Sequence, residues 1–402
     1  MTELNVENQP VMGPELSFDN TEIAFKNKSN EDLNRAYWLF KIISSNFLTQ
    51  VGPSMTLFAF KVGLPINSLI KKTIFRQFCG GESIAECETT IAQLASGGVK
   101  TILDYSVEGE EREEVFEATC QEIIRTINRA NGDARIPLTV FKVTGIARFA
   151  LLEKLDAKLE LSATEAKEFE RVQERVDLIC GTAHKLGVPV MIDAEESWIQ
   201  DTIDDLAIEM MRKYNREKLL IYNTYQLYRH DKLASLKADI ALAETDKFIL
   251  GAKLVRGAYM EKERKRAQER GYQSPIQPDK ESSDRDYNAA VRYCLDHPDT
   301  VGFVAGTHNE ESCRILAELM DERGISRSNP NIYFSQLLGM SDNLSFNLGH
   351  AGYNVVKYVP YGPIKAVMPY LFRRAQENTS VAGQTGRELS LIIKEKKRRQ
   401  IH

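Results

Sequence analysis

The chain has 402 residues, 43% of them hydrophobic and 27% charged, with a formal net charge of −5. That is enough apolar material for one large core, and the lack of a basic excess points away from nucleic acid. The six cysteines (Cys79, Cys87, Cys120, Cys180, Cys294, Cys313) form no C-x-x-C pair, which disfavours a zinc knuckle or a disulfide framework and leaves them as small buried hydrophobes.

The first thirty residues hold no apolar h-region and carry Glu3, Glu7, Glu15, Asp19 and Glu22. They resemble neither a secretory signal nor an Arg-rich organellar leader, so the cytosol is the expected compartment. Asn30-Glu-Asp-Leu is a cap for a periodic helix over Leu33–Leu48. The apolar stretch 55–70 is interrupted by Lys61 and Pro65, too short a run to span a bilayer. Further helices are predicted over Asn67–Phe78 and Ser83–Leu94, and Gly97-Gly98 marks a boundary. The expected organisation is a helical extension over 1–95, a catalytic unit over 96–380 and a basic helical tail over 381–402.

Beyond that boundary β-rich runs recur. They are Lys100–Val107, Leu138–Thr144, Pro189–Ala194, Leu219–Gln226, Phe248–Gly257, Val301–Thr307, Asn331–Leu337 and Asn354–Pro360. Helical patterns alternate with them: Glu111–Asn131, Thr164–Leu186, Ile199–Lys213, Asp231–Glu244, Asp286–Leu295, Glu310–Arg323 and Lys365–Asn378. Such alternation implies parallel strands with right-handed crossovers. Eight units over this length predict a (β/α)8 TIM-like barrel. The alternative, an open doubly wound sheet, usually carries a glycine-rich loop after its first strand; here that strand ends Asp104-Tyr-Ser-Val-Glu-Gly.

Barrel strands are dry on both faces, so an ionisable group inside one is costly unless paired. Lys142, Asp193, Lys253 and Arg256 all interrupt apolar strands in their later halves, toward the end where barrel enzymes keep their chemistry. A plain internal ion pair, Lys142 with Asp193, is the competing explanation. In the last predicted helix Tyr370, Arg373, Arg374 and Glu377 fall at i, i+3, i+4 and i+7, on one face. Two arginines beside a tyrosine make a planar, multi-donor receptor for a carboxylate. Thr307-His308-Asn309 ends the sixth strand; no second histidine stands at a ligand spacing, so metal binding is not expected. The tail Lys-Glu-Lys-Lys-Arg-Arg, with Leu389, Leu391, Ile392 and Ile393 upstream, reads as a solvated helix end, with a peripheral membrane contact as the alternative.

Several segments together resemble the proline dehydrogenase family. They are Met191-Ile-Asp-Ala-Glu-Glu, Tyr222-Asn-Thr-Tyr-Gln, Gly251-Ala-Lys-Leu-Val-Arg-Gly-Ala-Tyr, Thr307-His-Asn, Phe334-Ser-Gln-Leu-Leu-Gly-Met, Lys357-Tyr-Val-Pro-Tyr-Gly-Pro and Tyr370-Leu-Phe-Arg-Arg-Ala-Gln-Glu-Asn. The ordered set is specific although no single piece is. The resemblance implies a distorted (β/α)8 barrel, non-covalent FAD, oxidation of L-proline to pyrroline-5-carboxylate and reoxidation by a membrane quinone. It also implies that a separate pyrroline-5-carboxylate dehydrogenase takes the product, since the aldehyde dehydrogenase module of the bifunctional relatives is missing from this chain.

Carried over by the resemblance, Arg373 and Arg374 correspond to the carboxylate pair. Tyr259, Leu337, Tyr358 and Tyr370 correspond to pocket walls, and Lys142 and Asp193 to polar residues beneath the substrate. Asn223, Lys253, Ala258, Thr307, His308 and Glu377 correspond to flavin contacts, and Glu108 to an acid that pairs with an arginine to close the site. One departure is visible: many bacterial members have Arg where Lys253 stands and Lys where Arg256 stands. Rival readings are another flavin barrel, such as a folate reductase, and a non-catalytic sensor of flavin or proline.

Overall fold

Each apolar run becomes a short strand because its residues are buried on both sides. The computed structural model describes residues 16–43, 67–106, 111–380 and 384–401, with side-chain detail to Arg374 and again from Gly386. Before the barrel come helices α1 (Thr21–Ala24), α2 (Asn30–Ile43), a helical segment over 67–78 and α3 (Glu88–Ser96). Then follow β1 (Lys100–Tyr105), α4 (Glu113–Ala130), β2 (Leu138–Lys142), α5 (Phe149–Asp156), α6 (Ala163–Leu186) and β3 (Val190–Asp193). Next come α7 (Ser197–Tyr214), β4 (Ile221–Gln226), α8 (Lys232–Asp246), β5 (Leu250–Val255), α9 (Met260–Arg270), α10 (Lys280–Leu295) and β6 (Val301–Gly306). The chain ends with α11 (Glu310–Glu322), β7 (Ile332–Leu337), α12 (Asp342–His350), β8 (Val355–Tyr361), α13 (Ile364–Ser380) and α14 (Gln384–Arg398).

The strands form a closed barrel in sequence order, parallel throughout, with β8 returning to β1 in the register Ile102↔Tyr358. This is the (β/α)8 barrel that the alternation predicts. Inside it pack Ile102, Leu138, Val140, Met191, Tyr222, Val304, Tyr333, Val356 and Tyr358. The opposite parity, including Leu103, Phe141, Ile192, Leu254, Phe303 and Val359, faces the helices. Full burial of each such side chain contributes about 1.5–3 kcal/mol.

Several boundaries differ from expectation for local reasons. β2 stops at Lys142 because Val143–Gly145 turns into a 3-10 helix. β5 stops at Val255, ahead of Gly257, whose φ of 143° suits glycine and not an extended strand. Helices α5, α9 and α12 lie outside the predicted set. In α9 only Glu263 and Ala267 are buried, so no apolar stripe announces it. The cap of α2 is Ser29 and not Asn30: Ser29 Oγ accepts from Asp32 N, and the Asp32 carboxylate accepts from Ser29 N. The predicted continuation to Leu48 lies outside the described residues beyond Ile43. Segment 67–78 is helical as predicted, but Lys71–Phe75 is wound as a π-helix.

A second apolar core joins the two chain extensions. Phe25, Leu33 and Phe40 pack with Phe75, Phe78, Val367, Leu371, Leu391 and Ile392. Helices α2 and α14 are thus held against α13, the helix that follows β8. The basic tail is solvated on one side, as predicted, and anchored on the other. Arg399 donates to the carbonyls of Phe25 and Lys28 and, with Arg398, to the buried carboxylate of Glu395. Lys394 donates to Asp19 O. Arg399 is thus tied into the protein, while Lys394, Lys397 and Arg398 remain exposed. Among the described residues no helix is long and apolar enough to cross a membrane.

Candidate functional site at the barrel mouth

The inward parity of the strands decides which polar groups meet. Asp104 on β1, Lys142 on β2, Asp193 on β3, Lys253 on β5 and Tyr358 on β8 form one layer at the C-terminal end of the barrel. Lys142 and Asp193 are direct register partners. The Lys253 ammonium lies 2.5 Å from Asp193 Oδ1 and donates to Tyr358 Oη at 2.6 Å. Tyr358 Oη is 3.3 Å from the same carboxylate oxygen. Lys142 Nζ stands 3.4 Å from Asp193 Oδ2 and 3.9 Å from Asp104 Oδ2. Two acids thus meet two lysines, so the layer is balanced in charge.

Burial pushes the Asp193 carboxyl upward, but Lys253 and Lys142 outweigh burial and hold it below the usual range. Burial and the nearby Asp193 charge drive the Tyr358 phenol well above its ordinary value, so it stays a hydroxyl. The ion pair weighed as the competing explanation is therefore present, yet it is one edge of a larger cluster. Asp104 was not singled out from sequence. Its signal is its parity, two residues after the inward Ile102.

Glu195, just past β3, is a second missed residue. Its carboxylate accepts from Thr144 N at 3.0 Å and from Thr144 Oγ1, tying the β2 loop to the β3 loop. Burial lifts its pKa to about 7 against the pull of those bonds. Gln226 ends β4 on the inward face; its Nε2 donates to Glu195 O at 3.0 Å, which fixes the amide orientation. Gln226 Oε1 is buried and has no hydrogen-bond donor among the described residues.

The departure at positions 253 and 256 has a geometric reason. Lys253 points inward, where a point charge on a flexible stem meets Asp193 and Tyr358. Arg256 lies on the rim and spreads its fork over Asp284 Oδ1 (2.7 Å), Thr307 Oγ1 (2.8 Å) and Ser312 Oγ (2.9 Å), with its plane 4.4 Å from the Tyr287 ring. A guanidinium spreads its donors over three nitrogens and so spans that set while stacking on the ring, where an ammonium gathers its donors on one atom. Thr307 is thereby anchored, and the adjoining His308 Nδ1 lies 2.9 Å from Ser341 Oγ. Burial, helped by the charges of Lys357, Arg374 and Arg256, lowers the His308 pKa to about 3, so its ring is neutral.

Helix α13 brings Tyr370, Arg373 and Arg374 over this end of the barrel. Arg374 is buried, with its guanidinium 5.3 Å from the Tyr370 ring. Its charge reaches His308, while that of Arg373 reaches Tyr259 on the β5 loop. Leu337, at the end of β7, touches both the barrel interior and the second core. Ala258 is exposed on the β5 loop.

Asn223 does not join this group. Its parity points it at the helix layer, where Nδ2 donates to Asp204 Oδ1 on α7 at 2.8 Å and Lys232 Nζ holds the other oxygen at 2.6 Å. Glu108 and the Glu377 side chain lie outside the described residues.

Comparison with known proteins bears on this arrangement. The family model described as proline dehydrogenase matches residues 87–387. Proline dehydrogenase 1, mitochondrial, of Dictyostelium discoideum is 33% identical over 447 residues, covering 98% of this chain and 78% of that protein. The human protein of the same name is 42% identical over 272 residues, covering 66% of this chain and 45% of its own length. Among solved structures, proline utilization A from Bdellovibrio bacteriovorus, inactivated by N-propargylglycine, superposes with a TM-score of 0.70 at 19% identity. That match covers 90% of this chain and 38% of the larger protein, and bears on the fold alone.

Proposed function

Since this chain belongs to the proline dehydrogenase family, we propose that it oxidises L-proline to pyrroline-5-carboxylate with FAD at the barrel mouth. What supports the reading is that Arg373 and Arg374 lie on α13, the helix following β8, with their charges acting on Tyr259 and His308, while Asp104, Lys142, Asp193, Lys253 and Tyr358 form a balanced layer in the barrel. The site's chemistry fits a flavin. Gln226 Oε1 is a buried acceptor lacking a donor among the described residues, and the imide N–H of a flavin ring is a donor of the right kind. Neutral His308 and the anchored Thr307 line the same rim as hydrogen-bonding groups. Gln226, Thr307 and His308 would hold a flavin here, and it would supply the hydride acceptor for proline C5.

The residues of the chain then do the positioning. Arg373 and Arg374 pin the substrate carboxylate, at about 1.5–3 kcal/mol per charge-assisted hydrogen bond. Tyr358 and Leu337 wall the ring, with Tyr259 and Tyr370 around it. Formation of the C=N bond requires loss of hydride from C5 and of one proton from the neutral ring nitrogen, the proton passing to water. A carboxyl held below its usual range is a weak proton acceptor at neutral pH, so Asp193 sets the local field and does not carry that proton. Lys142, between two carboxylates, shares that role. A membrane quinone is taken as the final electron acceptor, a separate pyrroline-5-carboxylate dehydrogenase as the consumer of product, and the cytosol as the compartment. Residues 96–380 form the catalytic unit in this reading, with 1–95 and 381–402 as its helical covers. Glu108 is assigned to site closure and Glu377, Ala258 and Lys253 to the flavin side.

A visible spectrum of the purified protein tests the proposal. Flavin bands that bleach when L-proline is added are expected. A protein that stays colourless and inactive after FAD reconstitution, or a bound flavin indifferent to proline, overturns it.

A further inference from the structure

Behind the mouth lies a buried charged network that the proposed chemistry does not use. Lys357 on β8 is completely buried. Its ammonium reaches Asp342 Oδ1 at 2.8 Å and donates to the carbonyls of Leu337 (3.2 Å) and Met340 (2.6 Å). Lys28, ahead of α2, holds the other Asp342 oxygen at 2.9 Å. Burial would raise the Asp342 carboxyl, yet these two cations bring it to about 2. The turn from β7 into α12 is therefore clamped from the barrel and from the N-terminal segment.

A third clamp comes from the C-terminal helix. Glu388 on α14 is buried, and its carboxylate accepts the backbone N–H of Ser341. Ser341 has φ of 50°, a left-handed conformation unfavourable for a residue with a side chain. Held there, it presents its hydroxyl to His308 Nδ1 at 2.9 Å. The same turn reaches Thr307 by a second route: Ser345 Oγ donates to Gln336 Oε1 at 2.9 Å, and Gln336 Nε2 donates to Thr307 O at 3.1 Å. Non-glycine residues held in such sparsely populated conformations cluster at functional sites.

We propose that Ser341 and Glu388 are positioning residues for the cofactor. Glu388 fixes the Ser341 backbone, and the Ser341 hydroxyl fixes the ring of His308, leaving Nε2 for the bound FAD. The C-terminal helix is thereby part of the cofactor site although it lies outside the barrel. This rests on the reading of the mouth as a flavin site.

The test titrates flavin-stripped protein with FAD, following flavin fluorescence, alongside thermal unfolding of the apoprotein. Ser341→Gly is the decisive variant, because glycine favours the left-handed conformation while the hydroxyl is lost. Expected is an FAD Kd weaker by about three- to tenfold with an apoprotein Tm equal to or above wild type. A merely structural role moves the two together. Glu388→Ala should weaken FAD by a similar factor, Glu388→Gln should restore it by keeping an acceptor, and the double variant Ser341→Gly/Glu388→Ala should lose no more than the worse single. Should Glu388→Ala fail to fold, Ser341→Gly still decides. Wild-type affinity in Ser341→Gly, or losses that multiply in the double variant, overturn the inference while leaving the flavin reading intact. Failure of the wild-type apoprotein to take up FAD overturns that reading, and this inference with it.

Discussion

Single side chains at the mouth carry distinct loads. Arg373 and Arg374 are neighbours on α13, and their charges act on Tyr259 and His308 respectively. Arg373→Met and Arg374→Met should each lower kcat/KM for proline by about 10- to 150-fold while flavin content stays near normal. Unchanged proline kinetics in both would remove the carboxylate assignment. Tyr358 is wedged against the interior and its hydroxyl is already engaged by Lys253 and Asp193. Its donor is committed to Asp193, so a substrate hydroxyl crowded against it finds at best a partial partner, and proline should be preferred over 4-hydroxyproline by about 5- to 150-fold in kcat/KM. Tyr358→Ser should narrow that gap, mainly by losing activity on proline; a wild-type enzyme using both substrates equally refutes the idea. Glu195 yields a pH signature. Its pKa is raised to about 7 by burial, so the folded protein holds its proton more tightly than the unfolded chain. The associated stability is complete below the unfolded value of about 4.3 and fades as pH rises through about 7, a span of roughly 4 kcal/mol. Urea unfolding at pH 5 and pH 8 should show a smaller loss on going alkaline in Glu195→Gln than in wild type. An identical pH response in the two proteins counts against the protonated, buried state.

Elements are held by what they bury, and α14 is the clearest instance. Leu391 and Ile392 enter the core shared with α2 and α13, while Glu395, fully buried, gathers Arg398 and Arg399. Leu391→Ala should destabilise the docked helix by about 2–5 kcal/mol. The readout is limited proteolysis, with cleavage near α14 well before the barrel is cut. Equal protease resistance in variant and wild type would show that the tail is held by its charges instead. The same docking engages the end of the basic run: Arg399 caps carbonyls of the N-terminal segment. By contrast α9 has hardly any apolar face, and Glu263 is buried there because its carboxylate takes Ser197 N and Oγ, each at 2.6 Å.

Across the whole molecule, a closed barrel supplies a rigid ring and the extensions supply the cover. A ligand seated among β4, β6 and α13 binds the folded state alone, so FAD should raise stability by about 2.7 kcal/mol at a hundredfold excess over its Kd. Comparing Tm of apo- and FAD-loaded protein measures this, and no change in Tm would mean that FAD does not bind the folded chain. Heat or acid should then release FAD intact, as expected of a non-covalent site.

The periodicity of apolar runs determined the barrel from sequence, since parallel strands buried on both faces need hydrophobic residues throughout and a crossover helix between each pair. Ionisable residues inside those runs, Lys142, Asp193 and Lys253, stood out for the same reason. Strand parity, which follows from where each strand begins, decided the rest. It sent Asn223 outward to Asp204, brought the unremarked Asp104 inward, and separated Lys253 from Arg256. Nothing local in the sequence couples Lys28, Ser341, Lys357 and Glu388, which are far apart in the chain. Only closure of the barrel and the packing of both extensions against α13 bring them together, because buried charges find their partners in tertiary space and not along the chain.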